Sequence, residues 1–344
     1  MYVTKNLPFR TMMQTGVVHL VWIMAWTGLV LFLFSYLNLK WINVPWTAVA
    51  VIGTAVSFYI GFKNNQAYDR LWEARKIWGA VTNTSRMWGS NLRGFITPQF
   101  TDKSVSDEHI NGIVKRMIYR HIAYLYTLRK QLLIPAPWEH VSLNSRVASV
   151  NRNRMQKFGA GMFEDEHLHY LEKHLEKEEH QKLPEVANMA THLIDLQSQQ
   201  LMQLRNEHLI DDFRHMELQK LLNDMYTSQG QAERIKKFPL PRQYGNGSKI
   251  FVGIFIFLLP FGLITEFTNS GVFGSWFFVP IVSVIAWIFL MMELVGDYSE
   301  NPFEGLGNDV PMLSICRNIE IDLKQMIQDS DIPEPIKSKN GVLM

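Results

Sequence analysis

Four apolar stretches, at 16–39, 47–62, 249–267 and 273–295, constrain this chain more than any other feature. They form two pairs, each with a short internal connection, separated by a long segment at 97–240 that is charged and soluble in character. The averages of 47% hydrophobic and 19% charged residues therefore conceal two kinds of chain. At ~1.5 Å per residue the first stretch can cross a bilayer as a helix. Lys5 and Arg10 precede it as in a signal peptide, but the apolar run is too long and lacks a small-residue cleavage site, so it reads as a retained span. The connection at 40–46, KWINVPW, is so short that the first two spans must run antiparallel, with Pro45 suited to the first turn of the next helix. Trp22, Trp26, Trp41 and Trp46 lie near the span ends, where amphipathic rings favour the headgroup region.

Basic residues set the expected orientation. Lys5 and Arg10 flank the first span, and Lys63, Arg70, Arg75 and Lys76 follow the second. Only Lys40 lies between those spans, and the connection around 268–271 has no basic residue. The positive-inside rule then puts both termini and the 63–248 region in the cytoplasm. Four divisions follow: 1–62 with the first two spans, 63–248 as a helical cytoplasmic domain, 249–297 with the last two spans, and 298–344 as a cytoplasmic segment and tail. The net charge of +2 argues neither for nor against a charged partner, and nothing suggests nucleic acid. The single cysteine, Cys316, excludes an intrachain disulfide and reads as a buried, inert thiol.

The second span has no stop. Apolar residues 47–62 run into a polar, charged and aromatic stretch to 86 with neither Pro nor a Gly cluster between them, which predicts one long helix. Thr54, Phe58 and Phe62 are four apart and share a face, with Gly53 and Gly61 one position before two of them. Two readings stand. The stripe is a hydrophobic constriction in a pore, or it packs on a neighbouring helix with the glycines permitting close approach.

The motif that follows carries a resemblance. Asn64, Asn65, Gln66, Ala67, Tyr68, Asp69 and Arg70, then Trp72, Glu73, Ala74, Arg75, Trp78, Gly79, Asn83, Ser85 and Arg86, resemble the bacterial branch of the bestrophin family. A second match lies at Glu300, Asn301, Pro302 and Phe303, followed by Asn308 and Asp309. The resemblance covers nearly the whole chain. It implies an all-α membrane protein with four transmembrane helices per subunit and a large helical cytoplasmic insertion, assembled as a homopentamer around a central pore. It also implies a bacterial plasma-membrane channel for small inorganic ions, with no catalytic residues and no cofactor. Chloride is favoured over monovalent cations. The narrow neck of the family maps onto Thr54, Phe58 and Phe62, where Thr54 departs from the usual larger apolar residue. A second, cytoplasmic aperture maps near Met216, although a Met on a helix is more often core. Animal members hold calcium in the loop beginning Asn-Pro-Phe, but Leu306 occupies a position that is acidic in that pattern. Only Asp309 and backbone near Asn301 remain as ligands, so no high-affinity calcium site is expected and the loop is read as structural.

The insertion reads as helical. Ile110, Ile113, Val114, Met117, Ile118, Ile122, Leu125, Leu128 and Leu132 mark one buried stripe of a helix over 105–134, stopped by Pro135 and Pro137. Residues 138–160 show no clear period and read as loop. A further amphipathic stretch covers 185–229 with a break at Gly230, and 328–344 reads as a disordered tail or mobile plug. Glu164, Glu166, His167, His169, His174, Glu178, Glu179 and His180 have metal-ligand spacing, but a di-iron bundle needs a second Glu-x-x-His unit that is missing. Interleaved Lys173, Lys177 and Lys182 favour a solvated face. His121, His192, His208 and His215 are scattered and read as packed or hydrogen-bonded helix residues. Two other classes, a membrane-bound metalloenzyme and a non-conducting scaffold, fit the 64–86 run less well than a channel.

Overall fold

The computed structural model describes residues 1–5, 9–142, 146–158 and 167–344. In chain order the helices are α1 (Phe9–Ser35), α2 (Trp46–Phe95), α3 (Asp107–Leu133), α4 (Arg146–Phe158), α5 (His167–His174), α6 (Lys177–Lys182), α7 (Met189–Asn206), α8 (Asp212–Lys237), α9 (Arg242–Thr268), α10 (Gly271–Asp297) and α11 (Met312–Met326). Among the described residues the only extended pairing is two isolated bridges near the chain ends. The chain divides into two compact units. One holds Thr4–Leu71 and Pro239–Asn301; the other holds Met1–Val3, Trp72–Phe238 and Pro302–Met344.

The first unit is built from the apolar stretches. Four helices among the described residues are long and apolar enough to cross a membrane. Their shared core joins Ile23, Val30 and Phe34 of α1 to Val49, Val56 and Ile60 of α2, Phe255 and Leu259 of α9, and Phe278 and Val282 of α10. The expected long helix is present: α2 runs 50 residues without interruption.

The second unit is organised on α3. Ser106 caps its start by accepting from the His109 amide at 3.3 Å, with Asp107 and Glu108 favourably placed in the first turn. All nine apolar residues of the expected stripe are buried, but the burial goes further. From Arg120 to Arg129 every residue is buried, because α5, α7, α8 and α11 surround the helix. Some of the polar groups this encloses find partners: His121 Nε2 lies 2.9 Å from Ser85 Oγ, and Arg120 pairs with Glu179, while the Tyr124 and Thr127 hydroxyls meet none among the described residues.

Three expectations are corrected here. Residues 146–158, read as loop, form α4. Its packed side carries Ala148, Asn151 and the half-buried Met155, so an amide interrupts the apolar period. Gly230 lies inside α8 rather than at a break. The interruption of the amphipathic stretch falls at 207–211 instead, where His208 adopts a φ of 59° and Asp211 caps α8 by accepting from the Arg214 amide at 2.8 Å. The tail is anchored, not free. The Leu343 amide donates to the Met1 carbonyl at 2.8 Å, the Ser314 amide to the Met344 carbonyl at 2.7 Å, and Val342 and Met344 are buried. Cys316 is fully buried as expected, its thiol pushed up to about 12 mainly by that burial.

Glu320 of α11 is the electrostatic centre of this unit. Tyr126 and Tyr170 donate their hydroxyls to it, Lys324 Nζ lies 3.0 Å away and Arg317 Nε 3.3 Å away. Burial disfavours its charge, but the neighbouring His174, the two tyrosines and Lys324 outweigh that and hold its pKa at about 2. A carboxyl lowered on folding stabilises the protein above its unfolded pKa near ~4.5, and that contribution is lost as pH falls towards the folded value. We expect the detergent-solubilised protein to lose about 3 kcal/mol between roughly pH 4.5 and 2 through this one group. Thermal melts across that range should show a shallower acid slope for Glu320→Gln, from a lower starting stability at pH 7.

Candidate pore-lining helix

The rotation of α2 about its axis determines what its faces present. Gly53, Val56, Ile60, Lys63 and Ala67 recur at three- and four-residue steps and are all buried. Gly53 is required here, since a Cβ would come within 2.7 Å of the Phe255 ring; around Gly61 there is open space. Close approach therefore uses the first glycine and not the second. Thr54, Phe58 and Phe62 lie on the opposite side and are exposed, Phe58 at 65% and Phe62 at 70%. Among the described residues no helix of this chain covers the stripe. The Thr54 hydroxyl donates to the Ala50 carbonyl at 2.9 Å and the Ser57 hydroxyl to Gly53 at 2.9 Å, so these polar groups turn back into the helix.

Lys63, one residue past Phe62, points inward. Its ammonium pairs with Glu293 of α10, whose other oxygen accepts from Ser248 of α9, and all three side chains are buried. Of the basic residues that follow the second span, Lys63 is therefore turned into the protein. Sequence reasoning missed the pair, although an acid inside the apolar stretch at 273–295 was a signal that a cation must meet it. Asn64 continues the contact by donating to the Met292 carbonyl at 3.1 Å, and a Cβ at Gly296 would collide with the Asn64 side chain.

The motif residues divide by face. Ala67 is buried, and Arg70 Nε donates to the Glu300 carbonyl at 2.9 Å. Asn65 is exposed, as is Tyr68 at 59%. Farther along α2, Glu73 pairs with Lys76 at 2.6 Å, and Arg75 Nη1 lies 3.3 Å from Met1 Sδ. Asn301 is buried with both side-chain amide atoms unpartnered among the described residues. Pro302 and Phe303 are buried, Phe303 with a φ of 69°. Asp309 closes that turn. Its carboxylate accepts from the amides of Phe303 (2.9 Å), Gly305 (2.7 Å) and Val310 (2.6 Å), so its oxygens are committed to the loop's own backbone.

Met216 is not core: it is 68% exposed on α8, and Phe213, one turn earlier, is 81% exposed. Of the metal-spaced cluster, Glu164 and Glu166 lie outside the described residues. His174 and Glu179 depart from the solvated face expected of them. His174 is buried with Nδ1 2.8 Å from the Tyr170 carbonyl, and Glu179 is spent on Arg120. No group of metal-ligating side chains converges among the described residues. His121 is a packed histidine, its pKa pushed down to about 3 chiefly by complete burial.

A family model described as Bacterial/Fungal Bestrophin protein matches residues 9–325. The voltage-dependent anion channel-forming protein YneE of Salmonella typhi is 27% identical over 301 residues, which cover 87% of this chain and 82% of that protein. Its counterpart in Escherichia coli is 26% identical over 304 residues, covering 88% and 83%. In fold, the chain is similar to a crystallised variant of a bacterial Bestrophin homolog from Klebsiella pneumoniae. The TM-score is 0.73 at 19% identity, over 92% of this chain and all of that one.

The Lys63–Glu293 pair yields a direct test. Lys63→Met leaves the Glu293 carboxylate buried without its cation, which should cost about 3–5 kcal/mol, whereas Lys63→Met with Glu293→Met together should recover most of the loss. Thermal unfolding in detergent separates the two. Equal stability of the single variant and wild type would mean that the pair does not hold α2.

Proposed function

Because this chain belongs to the bestrophin family, in its bacterial and fungal branch, we propose that it is a homopentameric membrane channel passing small anions down their gradient. The observation that carries the proposal is the exposed stripe of Phe58 and Phe62, on the side of α2 opposite its packed face. Exposed phenyl rings also occur on the other spans, at Phe32, Phe257 and Phe277, where acyl chains can cover them; on α2 the same face continues to the exposed polar residues Asn65 and Asp69. Here two rings one turn apart are left for a second surface, and five copies around an axis would supply one.

In that assembly Thr54, Phe58 and Phe62 form the neck, with Thr54 at its outer end. Rings of phenyl groups disfavour continuous water, so an ion crosses by shedding hydration or by waiting for the rings to rotate. The Thr54 hydroxyl, already donating to Ala50, offers an ion only its lone pairs. Met216, exposed on α8, is suited to a second narrowing on the cytoplasmic side. The distribution of Lys and Arg outside the spans favours both termini in the cytoplasm, in the plasma membrane of a bacterium. The anion reading rests on the relatives named as anion channel-forming and on phenyl edges, whose positive rim suits anions. No step needs a cofactor or a catalytic side chain.

Planar bilayer recordings of the purified protein test this. Under a potassium chloride gradient the reversal potential should lie towards the chloride equilibrium value. Phe58→Ala with Phe62→Ala should raise conductance or open probability severalfold. An unchanged conductance and open probability in that double variant would exclude these rings as the gate, and a reversal potential at the potassium value would exclude anion preference.

A further inference from the structure

The exposed face of α2 does not end with the rings. Seven residues are two turns, so Asp69 lies about 10 Å along the helix from Phe62 and within ~20° of it around the axis. Asn65 is exposed between them, and Asp69 is exposed as well. The face thus changes from phenyl to amide to carboxylate with no break in the helix.

Several neighbouring charges are engaged. Lys63 meets Glu293, Lys249 Nζ lies 2.7 Å from Asp297, and Arg242 Nη1 lies 3.5 Å from Glu300. Arg70 is turned to the Glu300 carbonyl. Asp69 forms no ion pair among the described residues. Farther along this face Glu73 is paired with Lys76, so Asp69 is the acid nearest the rings that no cation among the described residues meets.

We infer that Asp69 sets how strongly the channel discriminates between anions and cations, its carboxylate working against anion entry at the cytoplasmic end of the neck. This rests on the conduction path proposed above, in which five copies place five carboxylates in a ring. A ring of acids favours cations. At about 10 Å from the rings and with a Debye length of ~8 Å, its field reaches the neck weakened but not abolished. The consequence is a channel that passes anions with shallow selectivity, where the phenyl neck alone would select them more strongly.

The test is the chloride-to-potassium permeability ratio, from reversal potentials of the full-length protein in planar bilayers under a potassium chloride gradient. Asp69→Asn should raise the ratio about threefold, a size expected of a screened ring of charges, while Asp69→Glu should leave it at the wild-type value. The wild-type protein supplies a measurement that needs no variant. With the gradient kept constant, its ratio should rise as total salt is increased and the carboxylates are screened. A conducting Asp69→Asn protein with an unchanged or lower ratio, or a wild-type ratio that does not respond to salt, overturns the inference and leaves the channel standing. Absence of any current from the assembled wild-type protein overturns the conduction reading and this inference together.

Discussion

The ion pair between Lys63 and Glu293 fixes the rotation of α2, and the character of every exposed residue along 54–69 follows from that rotation. Val56 and Ile60 alone would not specify it, because apolar side chains of similar size exchange places in a core at little cost. A charge is less forgiving. Turning the helix by one residue, ~100°, would carry Lys63 out of reach of Glu293 and leave a buried carboxylate uncompensated, at several kcal/mol. The contribution of such a pair to net stability is small, since desolvating both partners offsets most of their attraction. Its effect is directional. Ser248 satisfies the second carboxylate oxygen and thereby brings α9 into the same node.

Glycine and asparagine complete the constraint. Gly53 admits the Phe255 ring, and Gly296 leaves room for Asn64 beside the Met292 carbonyl it binds. These contacts bracket Phe58 and Phe62, so the rings sit on the segment of α2 whose orientation is held at both ends. The second unit uses the same device in a different setting. Lys236 of α8 meets Glu139 and the Phe303 carbonyl, and Glu320 gathers two tyrosines, Arg317 and Lys324. Buried ions surrounded by satisfied donors specify which helix faces meet, which uniform apolar surfaces do poorly.

What the sequence made legible was what depends on periodicity and length. The spans, the unbroken α2 and the nine apolar positions of α3 follow from runs and three-to-four spacing alone. The resemblance at 64–70 and 300–309 extended that to the family. What periodicity could not deliver was partnership. Asn151 hid α4 because a buried amide reads as a surface residue. The Lys63–Glu293 pair is invisible to local spacing because its partners lie 230 positions apart. Gly230 was read as a break because glycine's low helix propensity is a local quantity, and tertiary packing of Leu222, Met225 and Ala232 overrides it. The tail looked free for the same reason: its partners are Met1 and α11, at the far end of the chain and beyond two prolines.

The two faces of α2 invert the arrangement of a water-soluble helix. The packed face carries a lysine, and the outer face carries phenylalanines whose neighbouring hydroxyls are folded back onto the backbone. Such an outer face is compatible with acyl chains or with a dewetted passage, and Phe58 and Phe62 taken alone would not distinguish them. The residues that follow on the same face do. Lipid-facing helices end in aromatic and basic residues that reach for headgroups, whereas this face passes through Asn65 to Asp69, which forms no ion pair among the described residues, while Lys63 is drawn inward. A carboxylate in that place would be repelled by an anionic lipid surface. It is accommodated where the rings open onto water, so the order phenyl, amide, carboxylate along one face favours a passage over a lipid boundary.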